Sequence, residues 1–222
     1  MNDLRFTLIT DGSSDRVLLH HLEWILRQTL GPLVAVQPEW ADLRSLRKRP
    51  ESFAERIRIA LDLYPCDLLF IHRDVEGQEP ALRLAEIQQA VEDAAIATPI
   101  VPVVPIRMTE AWLLFDEPSV RRAAGNPQGR MTLELPAKHA ETIVDPKSLL
   151  YHALKKASGL AGRRLRRFRT GDAVHRVAEY IDDFSPLQEL AAFQSLCKHV
   201  TDVATSQGWL VLPPDAAKKP GE

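Results

Sequence analysis

Residues 67–72 read Asp-Leu-Leu-Phe-Ile-His, an apolar run in which polar and apolar positions do not alternate. A strand with one wet face alternates, whereas a strand covered by helices on both faces does not. This segment therefore calls for a sheet sandwiched between helices, and such sheets are mostly parallel. The order of the other elements agrees with that requirement.

Leu4–Thr10 reads as a first strand. Ser13 or Ser14 is placed to cap the helix that follows, because a serine hydroxyl accepts from the free N–H groups of a first turn. Leu18, Leu22, Ile25, Leu26 and Leu30 share one helical face, and Gly31-Pro32 ends the helix. Leu33–Gln37 is a short second strand. Phe53, Ile57, Ala60, Leu61 and Tyr64 mark a second helix that stops at Pro65. After the Asp67–His72 strand, Leu84, Ile87, Val91 and Ala94 mark a third helix. Pro99–Ile106 is a fourth extended segment whose three prolines cannot donate to a ladder, as suits an edge or half-paired strand. Thr109 is expected to cap a short helix, Glu110–Phe115.

From about Asp145 the pattern is helical, with Leu149, Leu150, Ala153, Leu154 and Ala157 on one helix. Val174–Ile181 marks a second, and Leu190, Phe193, Cys197, Val200 and Ala204 a third. Only Trp209–Leu212 offers a short strand. The chain thus reads as α/β, with a mostly parallel sheet of about four strands flanked by helices and a helical C-terminal part. Its expected division is residues 1–125, residues 126–212, and a Pro-rich charged tail, 213–222, expected to be disordered.

The 222 residues carry a formal net charge of -2, so any surface for a polyanion has to be local. Cys66 and Cys197 form neither a disulfide framework nor a C-x-x-C pair. No apolar stretch is long enough to cross a bilayer, and no secretory signal pattern stands at the start. These features predict a cytoplasmic protein with no membrane partner. They do not give its oligomeric state.

Acids stand where the strands end. Asp11 follows the first strand, Asp74 and Glu76 the third, and Glu110 the fourth. Ligands of open α/β sheets bind at the carboxyl ends of strands. Singly, each acid reads as a turn or loop residue. As a set at one sheet edge they would repel one another, and a divalent cation removes that repulsion; Mg²⁺ or Mn²⁺ suits oxygen ligands. Asp74-x-Glu76 also has the two-residue spacing that puts side chains on one side of an extended segment.

Familiar phosphate-handling motifs are missing. His72-Arg73-Asp74 lacks the asparagine of a kinase catalytic loop, since Glu79 stands in its place, and no glycine-rich loop accompanies it. Asp11-Gly12 lacks the second aspartate of haloacid-dehalogenase phosphatases, because Ile9 occupies that position. No Walker A sequence is present. The seven histidines form no i, i+4 pair and no Cys/His cluster, which disfavours a zinc site.

The combination of Asp11-Gly12, Asp74-Val75-Glu76 and Glu110-Ala111-Trp112, continued by Leu113, Leu114 and Asp116, resembles the Toprim domain. That fold is shared by topoisomerases, primases and small nucleases of the overcoming-lysogenization-defect type. The similarity is greatest to an uncharacterised bacterial Toprim-like family, and covers residues 4–116 with Asp145-Pro146-Lys147 beyond. It implies metal-assisted phosphodiester hydrolysis in a phage-defence or DNA-repair system. In that scheme Asp74 and Glu76 hold the metal, Asp11 is a further metal ligand or the base that activates water, and Glu110 completes the metal site. Lys147 meets developing charge. The resemblance also implies an ABC- or SMC-type ATPase partner. Two positions depart from the family, which usually has Glu at 11 and Asp at 76. They support an alternative, a catalytically degenerate binding subunit beside such an ATPase.

Gly162–Thr170 reads GRRLRRFRT. Arg163, Arg164, Arg166, Arg167 and Arg169 could contact phosphates without sequence preference, and Phe168 could stack on an unpaired base. The competing reading is a face that pairs with acids such as Asp182 and Asp183. Arg44, Arg47, Lys48 and Arg49 form a second basic loop. DNA is the expected polyanion.

Overall fold

The computed structural model describes residues 2–75, 79–106 and 108–210, with the backbone alone at 137–139. Four strands form one parallel sheet: β1 (Asp3–Ile9), β2 (Ala35–Trp40), β3 (Leu68–His72) and β4 (Ile100–Val103). Their order is β2-β1-β3-β4, so β4 is an edge strand, as its prolines require. The second strand starts and ends later than its apolar residues suggest. Pro38 is tolerated inside it because β2 is the other edge and pairs only with β1.

All five residues of β3 are buried, which is the physical content of the unalternating run. Parity decides which layer each side chain joins. Leu4, Phe6, Leu8, Leu68 and Phe70 enter the larger hydrophobic cluster, while Ile9, Leu69 and Ile71 enter the smaller one on the other face. Phe6 meets Phe70 edge to face at 5.2 Å across the β1–β3 pair. Each such buried side chain contributes roughly 1.5–3 kcal/mol through the area it removes from water.

The smaller face is covered by α2 (Phe53–Leu63) and α3 (Pro80–Ala94). Ser52 caps α2 by accepting from the Glu55 N–H at 3.1 Å. The larger face is covered by α1 (Leu18–Leu30) and by helices of the C-terminal half. These are α4 (Glu117–Ala123), α5 (Pro146–Ser158), α7 (Thr170–Tyr180) and α8 (Ala191–Ser206), while the short α6 (Gly162–Arg166) between α5 and α7 buries no residue. Leu150, Val177 and Phe193 belong to the same cluster as Phe6 and Phe70, so one core runs across residue 125.

Several local expectations are corrected. Neither Ser13 nor Ser14 caps the first helix: a 3-10 turn, Ser13–Val17, precedes α1, with extended Gly12 at its start and no side-chain cap. The 109–113 segment is likewise a 3-10 turn that begins after Met108, not a helix capped by Thr109. Trp209 and Leu210 form no strand. Residues 211 and 212, and the tail, lie outside the described residues.

Candidate metal centre

The β1–β3 pair is the point where the chain reverses its direction of travel across the sheet: β2 lies on one side of β1, and β3 with β4 on the other. The crevice at the carboxyl ends of such a pair is the usual ligand site of an open α/β sheet. Three side chains meet there: Asp15 from the 3-10 turn after β1, His72 as the last residue of β3, and Asp74 just beyond it. One ligand atom from each lies within 4.8 Å of the others, so the group could hold a metal ion.

Burial makes the geometry informative. His72 is fully buried, and Asp15 is 6% exposed. The His72 Nδ1–H donates to the Val103 carbonyl at 2.9 Å. A carbonyl only accepts, so the proton is on Nδ1 and Nε2 is turned toward the two carboxylates. Nε2 stands 3.4 Å from Asp74 Oδ1 and 3.9 Å from Asp15 Oδ1. With its proton on Nδ1 alone, Nε2 faces the Asp74 carboxylate as one acceptor faces another, and only a second proton turns the 3.4 Å contact into an ion pair. His72 Nε2 and Asp74 Oδ1 are both buried, and among the described residues neither has a hydrogen-bond partner beyond this contact with the other. Unpartnered buried polar atoms cost roughly 1–3 kcal/mol each, and a cation between them would supply the missing contacts. The backbone contact at Nδ1 is the kind of outer support that orients a metal-ligating imidazole.

The electrostatics agree. Burial raises the Asp15 pKa, and the Asp74 and Glu110 carboxylates raise it further against His72 and a Gly12 backbone contact. For His72, burial acts downward, but Asp74, Asp15 and the Val103 carbonyl outweigh it and raise the pKa. The Asp74 carboxyl is held below its ordinary value by His72 first, against burial, with help from Lys147 and Arg83. Negative charge is thus concentrated here, and a proton on Nε2 or a metal ion can answer it.

Glu110 and Lys147 border the group. Ala111, Trp112, Leu113 and Leu114 are all buried, and Trp112 meets Phe193 edge to face at 5.3 Å. That anchorage fixes Glu110, 5% exposed, beside Asp15. Thr109 turns its hydroxyl to Asp15 Oδ1 at 3.4 Å. Asp145 caps α5 by accepting from the Ser148 N–H at 2.9 Å, with Pro146 at the first helical position. Lys147, the next residue, reaches Glu110 Oε1 at 3.4 Å.

Asp11 is not brought to this group. It pairs with Arg56 at 3.2 Å and with Arg73 at 3.1 Å. The cause is register. Ile9 stands level with Ile71, so Asp11 continues level with Arg73, on the opposite side of the sheet from His72 and Asp74. Glu76 lies outside the described residues.

Of the expected site residues, the structure brings together Asp74, Glu110 and Lys147. Asp15 and His72 join them, and sequence reading passed over both. His72 reads in sequence as a strand end, and Asp15 carries no sequence-level signal of its own. The i, i+2 spacing of His72 and Asp74 was the available signal.

Arg163, Arg164, Arg166, Arg167 and Arg169 are exposed on and just after α6. Among the described residues only Arg169 has an ion-pair partner, Asp172 at 3.3 Å. Asp183 instead accepts from Ser185. Phe168 is half-buried against the core. No helix among the described residues is long and apolar enough to cross a membrane. Compared with known proteins, the chain matches no family model, no curated protein and no solved structure.

Proposed function

We propose that this chain is a divalent-metal-dependent phosphodiesterase acting on nucleic acid, with Asp15, His72 and Asp74 as its metal ligands. The observation that carries the reading is the pair of buried atoms His72 Nε2 and Asp74 Oδ1, which have only each other as polar partners and face Asp15 at the sheet's switch point. One imidazole with two carboxylates suits Mn²⁺ better than Mg²⁺, which prefers oxygen alone. An ion held there would supply a Lewis acid for a phosphoryl oxygen and would offset charge on the leaving oxygen.

The chain's own residues take the other roles. Glu110, beside Asp15, is placed to accept a proton from attacking water. Lys147 provides a point cation for the phosphate and holds Glu110 in place. The exposed arginines 163, 164, 166, 167 and 169 supply backbone contacts to DNA. The Toprim resemblance supports the reaction class, the phage-defence or repair setting, and an ABC- or SMC-type ATPase partner.

One observation favours the second reading, a degenerate Toprim-like binding subunit. Asp11, the family's first metal-site position, is clamped between Arg56 and Arg73. A single assay separates the two. Purified protein is incubated with plasmid and with single-stranded DNA in Mn²⁺, Mg²⁺ or EDTA. The enzyme reading expects cleavage that EDTA stops and that Asp74→Asn lowers at least tenfold, since even outer-shell losses cost about 10- to 100-fold. Binding without cleavage in either metal would favour the subunit.

A further inference from the structure

A second site lies on the other side of the same sheet edge. A cleft of about 650 Å³ opens between the loop after β1, the end of β2 and the start of α2. Its volume is that of a small-molecule site. It is bordered by Trp40, Arg44, Arg49, Phe53, Arg56 and Arg73. None of these belongs to the Asp15–His72–Asp74 group, because Arg73 has the opposite parity to its neighbours.

Both charge and ring arrangement point to a ligand. Arg44 is paired with Asp42 at 2.6 Å, and four arginines in all line the cleft against two carboxylates of its own, Asp11 and Glu51. Those carboxylates are engaged: Glu51 with Lys48 at 2.5 Å, and Asp11 with Arg56 and Arg73 together. Arg73 also reaches Glu86 at 3.0 Å, which Arg83 shares, so Arg56, Arg73 and Arg83 stand against the two carboxylates Asp11 and Glu86 and positive charge remains beside the cleft. Arg49 is exposed and makes no ion pair among the described residues. Each aromatic ring is covered by a guanidinium, Arg44 over Trp40 at 4.9 Å and Arg73 over Phe53 at 4.9 Å. Such flat cationic stacks accept a further planar ring, while the remaining N–H groups suit phosphate oxygens.

We propose that this cleft binds a phosphorylated nucleoside, its base continuing the Trp40–Arg44 stack and its phosphate meeting Arg49, Arg56 and Arg73. The proposal goes beyond the metal centre and does not depend on it. The ligand's source is either a free nucleotide or the phosphorylated end of a strand.

The test is a titration of the full chain in EDTA, which silences the metal centre. The probes are ADP, a 5′-phosphorylated trinucleotide, its unphosphorylated counterpart and inorganic phosphate, read by calorimetry. The expected result is that ADP or the 5′-phosphorylated trinucleotide binds and that the dissociation constant rises at least tenfold in Arg49→Ala and in Arg44→Ala. Both residues are exposed, and thermal melting confirms that the variants fold. Asp74→Asn should bind as the parent does. ADP binding marks a free nucleotide, and binding of the phosphorylated trinucleotide alone marks a strand end. The proposal is overturned if neither binds at millimolar concentration, if phosphate binds as tightly as either, or if the arginine variants bind unchanged.

Discussion

His72 donates its Nδ1–H to the carbonyl of Val103 on the neighbouring strand, at 2.9 Å. This one bond turns Nε2 toward Asp15 and Asp74, and makes a buried strand end into a candidate ligand. Replacing His72 with alanine removes the group that offsets buried Asp15 and half-buried Asp74. The expected outcome is a loss of at least about 3 kcal/mol in metal-free protein, as for a buried charge pair deprived of one partner. Urea denaturation in EDTA checks it; a His72→Ala protein as stable as its parent would mean that Asp15 and Asp74 are not charged together.

Asp11 serves a different purpose. Its ion pairs with Arg56 and Arg73 tie the loop after β1 to α2 and to the end of β3. Because the carboxylate is about a third exposed, Asp11→Asn is expected to lose no more than about 1 kcal/mol. Metal affinity should stay within about twofold of the parent, which calorimetry with Mn²⁺ measures. Abolished Mn²⁺ binding in Asp11→Asn would return this residue to the metal site.

His21 gives the fold a defined acid sensitivity. It is fully buried against Phe184 and Trp112, and burial pushes its pKa down to about 4 despite contacts to the Val17 and Trp112 carbonyls. The unfolded chain binds a proton near the ordinary histidine value, so between about pH 6.5 and 4 unfolding takes up a proton that the folded state refuses. Stability is full above that window and falls as pH drops through it, by about 3 kcal/mol from this residue. Denaturation midpoints from pH 7 to 4, compared between parent and His21→Leu, should show a shallower decline in the variant.

The arginine segment predicts a salt signature. Changing Arg163, Arg164, Arg166 and Arg167 to alanine should leave thermal stability nearly unchanged, because all four are exposed and unpaired among the described residues. DNA affinity should fall, and the slope of log K against log salt should shrink by about 0.7–0.9 for each phosphate that is no longer neutralised. An unchanged slope would place the DNA elsewhere.

The sheet was legible because burial on both faces leaves its mark on composition: Leu68–His72 has no polar face to show. The edge position of β4 was legible from its prolines. The site was legible only in part, for a reason of register. Strand-end acids announce themselves in sequence, but which side of the sheet each one faces depends on how β1 slides along β3. The Ile9–Ile71 pairing puts Asp11 with Arg73 and leaves His72 and Asp74 together on the other side. Asp15 was hidden because its position relies on a 3-10 turn, where Gly12 rather than a serine begins the element. Trp112 packs in the core against Phe193 and thereby fixes Glu110.

The most direct test asks whether an imidazole nitrogen and a metal ion share this pocket. Protein stripped with EDTA is titrated with Mn²⁺ and followed by pulsed electron paramagnetic resonance, which detects histidine nitrogen bound to the ion. The account predicts one Mn²⁺ per chain with nitrogen coupling that disappears in His72→Gln. Bound Mn²⁺ with no nitrogen coupling, or no binding at millimolar metal, would contradict it.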